Sequence, residues 1–221
     1  MDDRKIESLT SGARIIWVPQ GQVPFYSEDR GTTWVASTGA PAGAMKGTTI
    51  FQCFNQPLAA DRVDSNIFYL YKSGRFYRSS DGSTTWAEVS SLPDSGDWHT
   101  IQAAPGMKGE VWAGLDSSGI YRSSNSGDTF TRIQKVQRAR LMAFGKAAPG
   151  RSNPAVFVYG RVENNDGIFR SDDMGATWVA IGDSKVPIGN EPNTMAGDRQ
   201  VFGRVYIGTN GRGIYYGQLL E

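Results

Sequence analysis

A four-fold repeat of eight residues is the feature of this sequence that most restricts its fold. The consensus is Ser-x-Asp-x-Gly-x-Thr-Trp/Phe, and the copies align without gaps. They begin at Ser27, Ser79, Ser123 and Ser171, so their spacings are 52, 44 and 48 residues. Periods of about 40–50 residues are typical of β-propellers, whose blades are four-stranded antiparallel sheets. The repeat therefore predicts an all-β chain built from such blades.

Each copy has the chemistry of a tight turn between two strands. The aspartate can accept hydrogen bonds from turn backbone N–H groups, the glycine supplies a positive φ, and the closing aromatic ring packs on the apolar face of the blade. We assign these turn roles to Ser27, Asp29, Gly31, Trp34, Ser79, Asp81, Trp86, Ser123, Asn125, Gly127, Phe130, Ser171, Asp173, Gly175 and Trp178. We call the four segments the box turns.

Two box turns depart from the consensus. Ser83 stands at the glycine position of the second, and Asn125 replaces the aspartate of the third. We expect both turns to be slightly distorted rather than lost. Spaced acidic residues near glycine also resemble a calcium loop, but here they stand where a structural turn needs them. We therefore interpret the box aspartates as fold residues and predict no metal site and no cofactor.

The strands around the box turns divide the chain into repeated units. Candidate first strands lie near residues 6–9, 50–54, 100–103, 141–144 and 193–196. Four four-stranded blades and a three-stranded fifth result, at approximately residues 4–37, 50–90, 98–136, 139–182 and 193–217. We predict one incomplete propeller domain over residues 1–221. A closed five-bladed ring, completed by an N-terminal strand, is the alternative.

Composition excludes several classes of protein. The formal net charge is +1 and there is no basic run, which argues against a nucleic-acid-binding protein. Mean hydropathy is −0.40, and no stretch approaches the roughly 20 apolar residues of a membrane span. The N-terminus, Met1-Asp-Asp-Arg-Lys5, is charged where the h-region of a secretory signal peptide should be apolar. Cys53 is the single cysteine, so an intramolecular disulfide or a cysteine zinc cluster cannot form.

Several longer segments carry a family resemblance. They are Ala59-Ala-Asp-Arg-Val63 before Phe68-Tyr69, Ala103-Ala-Pro-Gly106 through Gly109 to Trp112, Phe144-Gly-Lys-Ala-Ala-Pro-Gly150, and the run from Gly203 to Ile214. In this order and spacing they resemble the C-terminal end of glycoside hydrolase family 74. That family comprises xyloglucanases and oligoxyloglucan reducing-end-specific cellobiohydrolases. The resemblance extends from about Ala13 to Gly217.

The resemblance implies a xyloglucan-hydrolysing parent enzyme. Family members have two seven-bladed propellers with a xyloglucan cleft between them, and two aspartates act as acid and base in an inverting reaction. One aspartate belongs to the first propeller and the other to an early Asp-Ile/Val-Gly-Gly motif of the second. This sequence has no Gly-Gly pair and resembles only the part beyond both positions, so no catalytic residue is assigned. The isolated chain is predicted to be inactive, the missing N-terminal propeller is an expected partner, and the parent enzyme is expected to be extracellular.

Topology places candidate sugar-binding residues on the face opposite the box turns. In a four-stranded meander, that face carries the loops between strands 2 and 3 and those between blades. Pyranose rings are held by aromatic faces and hydrogen-bonding side chains, so the candidates are Trp98, Gln20, Gln22, Asn190, Asn210 and Arg212. Burial of Trp98 at a blade seam, and simple solvation of the polar residues, are the alternatives. His99 is expected to be a surface or loop residue rather than a base, and Arg138 with Arg140 a solvated basic spot.

Two other functions remain open at this point. A propeller without catalytic residues can serve as a module that binds glycans or protein partners. A sialidase could also carry box turns, but sialidases need an Arg-Ile-Pro signature that this sequence lacks.

Overall fold

The computed structural model describes residues 5–8, 14–45, 55–96, 98–182, 188 and 192–219. These residues form strands and turns without any helix, and so none is part of a helix able to cross a membrane. Five antiparallel sheets follow one another along the chain, and each pairs its strands in sequence order. The predicted all-β class is confirmed.

Four sheets have four strands and the fifth has three. The first contains β1 (Lys5–Ser8), β2 (Ile15–Val18), β3 (Phe25–Ser27) and β4 (Val35–Ala36); the second β5 (Leu58–Ala60), β6 (Phe68–Lys72), β7 (Arg75–Ser79) and β8 (Ala87–Ser91); the third β9 (Thr100–Ala103), β10 (Val111–Gly114), β11 (Ile120–Ser123) and β12 (Thr131–Arg132); the fourth β13 (Val136–Gly145), β14 (Ala155–Val162), β15 (Asn165–Ser171) and β16 (Val179–Ala180); the fifth β17 (Pro192–Gly197), β18 (Val205–Thr209) and β19 (Ile214–Gly217).

Two local predictions from the sequence were wrong. The segment predicted as the first strand of the second sheet, residues 50–54, lies outside the described residues, and that strand is instead β5. Its Ala-Ala pair has a low strand propensity, but all three residues are buried and pair with β6. The strand predicted near residues 141–144 begins earlier, at Val136, and so contains Arg138 and Arg140, because the long β14 extends the ladder beside them.

Burial decreases from the second strand of a sheet to the fourth. β10 is buried throughout, whereas both residues of β4, β12 and β16 are exposed. A strand covered on both faces reads as a continuous apolar run rather than an alternating one. This explains sequences such as Phe68-Tyr69-Leu70-Tyr71 in β6. The fourth strands are therefore thin outer strands that shield the third.

The chain divides into two compact units, with the division passing through the third sheet. The first comprises Met1–Ala113 with Arg122–Thr131, and the second Gly114–Tyr121 with Arg132–Glu221. The first has a core of Ile16, Val18, Leu58, Phe68, Leu70 and Trp86 with smaller neighbours. The core of the second includes Leu141, Phe157, Ile168, Met195, Val205 and Ile207.

Every box turn is organised around its serine. The Ser27 hydroxyl accepts from Gly31 N–H at 2.7 Å and donates to Asp29 Oδ1 at 2.8 Å. Asp29 in turn accepts from the backbone N–H of Thr33 at 2.8 Å and from its hydroxyl at 2.7 Å. The second and fourth box turns repeat these bonds through Ser79, Asp81 and Thr85 and through Ser171, Asp173 and Thr177.

The two departures from the consensus leave the turn intact. In the second box turn the glycine has moved one position earlier, so Gly82 and Ser83 have φ values of 71° and 73° where Arg30 and Gly31 have 60° and 90°. In the third, Asn125 Oδ1 accepts from Thr129 N–H at 3.1 Å while its amide donates to the Thr129 hydroxyl at 2.9 Å. The expected distortion is therefore confined to which group donates and where glycine stands.

Candidate functional site

The candidate loops lie at the end of each sheet opposite its box turn. They include the connections between second and third strands, which differ in length. In the second and fourth sheets only two residues connect the strands, since Lys72 pairs with Arg75 and Val162 with Asn165. The connections in the first and fifth sheets are longer. They carry four of the six predicted sugar-binding residues.

Those four residues form two exposed pairs. Gln20 and Gln22 share the turn after β2, where the Gln22 carbonyl accepts from Gly43 N–H at 2.8 Å. Asn210 and Arg212 share the turn after β18, closed by the Thr209 hydroxyl donating to the Gly213 carbonyl at 3.0 Å. One pair belongs to each compact unit. Asn190, the fifth predicted residue, lies outside the described residues.

Trp98 lies on the segment that leads into β9, and its side chain is half-buried. A partly buried polar network anchors this segment to the second sheet. The Tyr71 hydroxyl donates to the Pro93 carbonyl at 2.7 Å and accepts from Ser95 N–H at 3.1 Å. Trp98 N–H lies 3.5 Å from the Ser95 carbonyl. The backbone of the loop that carries Trp98 is thus held at several points.

His99 lies in a loop, as expected, but it is buried rather than at the surface. Only 3% of it is exposed, because its ring packs edge-on against Tyr71 with centroids 4.8 Å apart. Its Nδ1 lies 3.5 Å from the Ser95 hydroxyl, and its carbonyl accepts from Gln56 N–H at 2.7 Å. Sequence alone could not show this, because a single histidine in a polar loop gives no pattern of burial. Its geometry supports the loop that carries Trp98.

A charged cluster that sequence reasoning missed lies at the tip of the β14–β15 hairpin. The Asp166 carboxylate accepts from Arg138 at 3.0 Å and from Arg161 at 2.7 Å. Both arginines, with Ser117 and Gln137, line an open depression of about 260 Å³. The signal for the hairpin was the polar run Glu163-Asn164-Asn165 between two apolar segments, which is typical of a two-residue turn.

Several carboxyl groups of the described residues are stabilised in the ionised form. The Arg161 guanidinium, through its hydrogen bond, lowers the pKa of Asp166 from its ordinary value. Among the described residues, each carboxyl with a shifted pKa is shifted downward: Asp29, Asp64, Asp81, Asp166, Asp173 and Asp198. A general acid in glycoside hydrolysis needs a raised pKa instead. These groups accept hydrogen bonds or form ion pairs with lysine and arginine side chains, and they do not donate a proton near neutral pH.

Nothing in the described residues forms a metal site of the usual protein ligands. No group of three or more His, Cys, Asp or Glu side chains in that part of the chain is arranged to hold an ion. The box aspartates, which most resemble a calcium loop in sequence, direct their oxygens to serine and threonine groups.

The chain is similar in sequence to xyloglucanases and in structure to a glycoside hydrolase family 74 enzyme. The chain is 38% identical over 92% of its length to a xyloglucanase of Acetivibrio thermocellus, and covers 23% of that protein. It is 35% identical over 90% of its length to an oligoxyloglucan-reducing end-specific xyloglucanase of Emericella nidulans, and covers 24% of it. The crystal structure of a glycoside hydrolase family 74 enzyme of Niastella koreensis superposes with a TM-score of 0.80 at 31% identity, over 96% of this chain and 30% of the enzyme.

The predicted relationship to glycoside hydrolase family 74 is confirmed. No family model matches the sequence, so the relationship rests on these pairwise similarities and on the fold. The five sheets are accordingly family 74 propeller blades. The chain spans about a quarter of the length of the family 74 relatives it matches.

Proposed function

We propose that this chain is the C-terminal propeller portion of a xyloglucan-hydrolysing glycosidase of the inverting endo-β-1,4-glucanase type. In this proposal it supplies scaffold and part of the glycan cleft, while both catalytic aspartates belong to the rest of the parent enzyme. The observation that carries it is the 38% identity to a xyloglucanase over nearly the whole chain but under a quarter of the relative. We further propose that the five sheets are consecutive blades of one propeller that is incomplete within these 221 residues.

The loop geometry supports a contribution to glycan binding. Trp98 offers a partly accessible indole on a loop anchored by Tyr71, Ser95 and His99. An aromatic residue on a loop that is already held loses less conformational freedom when a sugar ring stacks on it. Gln20 and Gln22 lie within the same compact unit and offer exposed amide groups. We propose that Trp98 is the main contact, that these glutamines, Asn190, Asn210 and Arg212 are secondary ones, and that the substrate is extracellular plant cell-wall xyloglucan.

The carboxyl groups with shifted pKa values do not have the properties of a glycosidase general acid. Inverting hydrolysis requires one protonated and one ionised carboxyl group, roughly 6.5–9.5 Å apart. The shifted carboxyl groups among the described residues all have lowered pKa values, Asp166 beside two arginines included. None of them is tuned to remain protonated near neutral pH.

Assays of the purified 221-residue chain test this proposal. We expect no release of oligosaccharides from tamarind xyloglucan and a retarded migration in a native gel that contains this polysaccharide. The variant Trp98→Ala should lose most of the retardation, whereas Trp34→Ala, which alters an indole of a box turn, should keep it. Hydrolysis by the wild-type chain would contradict the proposal that both catalytic aspartates belong to the rest of the parent enzyme. Retention unchanged in Trp98→Ala would remove Trp98 from the glycan contacts.

A chimera tests the scaffold role directly. The quarter of the Acetivibrio thermocellus xyloglucanase that aligns with this chain is replaced by the chain itself, and hydrolysis is compared with that of the relative lacking this quarter. Restored xyloglucan hydrolysis is the expected result. A folded chimera that binds xyloglucan without hydrolysing it would instead favour a non-catalytic glycan-binding module.

A further inference from the structure

The outer edge of β19 differs from the corresponding strand in every other sheet. β19 is the third strand of the fifth sheet and pairs with β18 through four residue pairs, including Gly208 with Ile214 and Tyr206 with Tyr216. Third strands in the other sheets also pair with a fourth strand on their outer side. In the fourth sheet, for example, Phe169 pairs with Ala180 and Arg170 with Val179. Among the described residues, no strand lies on that side of β19.

Side chains at the position equivalent to Ile214 are buried in other sheets, where residues of the next sheet pack on them, as Phe130 does on Phe76. When the strands are aligned on the box-turn serine, Phe76, Ile120 and Ile168 share one position, and they are 0%, 0% and 7% exposed. The fifth sheet has Gly217 at the place of this serine, so the residue at the same position of β19 is Ile214, which is 77% exposed. Two positions along, Tyr216 is 66% exposed. An isoleucine that is buried elsewhere in the repeat is thus left open in the fifth sheet.

The backbone shows the same deficit. In the third sheet the Ile133 N–H donates to the Ile120 carbonyl, and in the fourth the Ile181 N–H donates to the Ile168 carbonyl, both at 2.9 Å. The first sheet has the same bond, from Ser37 N–H to the Pro24 carbonyl at 2.8 Å. Ile214 carries the equivalent carbonyl in the fifth sheet. An open strand edge with apolar side chains is a template for one more strand.

An apolar groove of about 580 Å³ lies beside this edge, entirely within the second compact unit. Val205, Ile207 and Tyr215 line it from the fifth sheet, and Ile168, Ile181 and Ile188 from the other side. The groove has the shape and polarity to accept one or two apolar side chains. An incoming strand placed against β19 would direct alternate side chains toward one face, and so toward such a groove.

We propose that β19 receives an antiparallel fourth strand from polypeptide outside these 221 residues, with an apolar residue at alternate positions. The occupant rests on the proposed function, in which the chain is a portion of a longer enzyme; the relatives it matches are about four times as long. The added strand pairs with β19 and supplies an N–H group to the Ile214 carbonyl, and its apolar residues enter the groove. The fifth sheet then has the same four-stranded pattern as the other four.

A strand graft tests whether this edge accepts a strand. Residues 217–221 are replaced by a copy of residues 171–182, the box turn and fourth strand that follow the equivalent residues of β15. We expect Tm to rise by about 5 °C or more, the β19 amides to exchange at least tenfold more slowly, and apolar dye binding to fall. The control is the same graft with proline in place of the copies of Val179 and Ile181, because proline has no N–H group to donate to the ladder. Equal exchange of β19 in graft and control would overturn the proposal.

Two further measurements identify the occupant. In the chimera with the Acetivibrio thermocellus enzyme, the β19 amides should be protected as in the graft, because the remaining polypeptide supplies the strand. Equal exchange of β19 in a folded chimera and in the isolated chain would overturn that source. Sedimentation of the isolated chain should show a monomer; a dimer that dissociates in the variant Tyr216→Lys would assign the edge to a second copy and also overturn it. None of these readouts depends on xyloglucan, so they succeed or fail separately from the proposed function.

Discussion

The carboxylate of Asp29 is exposed, yet its pKa is lowered to about 2. The largest cause is the hydrogen bond from the Thr33 backbone, followed by the bonds from the Thr33 and Ser27 hydroxyls. The pKa values of Asp81 and Asp173 are also lowered; burial acts to raise them, but bonds from Thr85 and Thr177 outweigh it. Hydrogen bonds to the ionised form are thus the common cause.

These shifts predict a loss of stability in acid. A lowered folded-state pKa adds stability that is present above the unfolded value of about 4 and is lost as pH falls through the folded value, about 2 for Asp29. We expect urea midpoints to fall from pH 4 to pH 2. The triple variant Asp29→Asn, Asp81→Asn, Asp173→Asn should show a weaker fall, since the third box turn already functions with Asn125. An unchanged pH dependence in that variant would contradict the linkage.

Glu110 is a buried charge, and its partner is Arg122. Its carboxylate is 3% exposed and accepts from Arg122 Nε at 2.6 Å, from Arg122 Nη2 at 3.2 Å and from Trp112 Nε1 at 2.6 Å. We expect Arg122→Met to lower the free energy of unfolding by about 3 kcal/mol, because it leaves a buried carboxylate without its cation. The double variant with Glu110→Gln should recover part of that loss. Urea denaturation of both variants measures the difference.

At the scale of single elements, the second box turn shows local compensation. Ser83 occupies a left-handed conformation that favours glycine, with φ 73°. Its hydroxyl accepts from Trp86 Nε1 at 3.0 Å, whereas Trp34 and Trp178 donate to the glycine carbonyl of their own turns at 3.1 Å. Gly82, one position earlier, leaves space for Arg14, which donates to the Gly82 carbonyl at 2.8 Å. In this box turn the glycine therefore stands at the position that Arg14 contacts.

The turn of the β14–β15 hairpin is open to improvement. Glu163 and Asn164 both have positive φ, 48° and 67°, as in a type I′ turn. Asparagine tolerates this conformation better than glutamate, so we expect Glu163→Asn to raise the free energy of unfolding by about 0.5–1 kcal/mol. Glu163→Gln is the matched control: it also removes the ion pair with Lys135 but keeps the strained long side chain. Thermal unfolding should show a gain for Glu163→Asn alone.

A second repeated turn escaped sequence analysis. Asp61 accepts from Val63 N–H, Asp64 N–H and the Tyr69 hydroxyl, while Asp198 accepts from Gln200 N–H, Val201 N–H and the Tyr206 hydroxyl. The spacing from aspartate to tyrosine is eight residues in both. Among the described residues the pattern occurs in the second and fifth sheets, and two copies without a continuous consensus did not stand out as a repeat.

At the scale of the whole molecule, a neighbouring sheet leaves no room for a side chain at one box-turn glycine, Gly127. A Cβ on Gly127 would lie 2.3 Å from Cε1 of Phe76, a residue of β7, within the same compact unit. At Gly31 the nearest atom, in Trp34, would be 3.6 Å away. Both glycines have similar φ, 87° and 90°, so the backbone cost of alanine is alike at the two positions.

Alanine at these two glycines separates turn strain from packing between sheets. We expect Gly31→Ala to cost about 1–2 kcal/mol, the price of a left-handed alanine. Gly127→Ala should cost about 1–3 kcal/mol more, because the Phe76 ring must move within a packed core. Denaturation of the two variants under one set of conditions gives the comparison. Equal losses would show that the Phe76 ring adapts freely.

The repeat, the all-β class and the family could therefore be predicted from the sequence alone, because each depends on residues close together in the chain. Turn aspartates, serines and glycines satisfy their own backbone within eight residues, so their pattern is visible without knowledge of any partner. The family segments likewise retain their order along the chain. The tertiary structure decided what depends on residues far apart: the pairing that makes Leu58–Ala60 a strand and the burial of His99 against Tyr71. It also decided the joining of Arg138 and Arg161 by Asp166 and the open edge of Ile214. Burial and ion pairing depend on two segments that are distant in the sequence and meet in the fold. The local sequence of one segment does not show which other segment it meets.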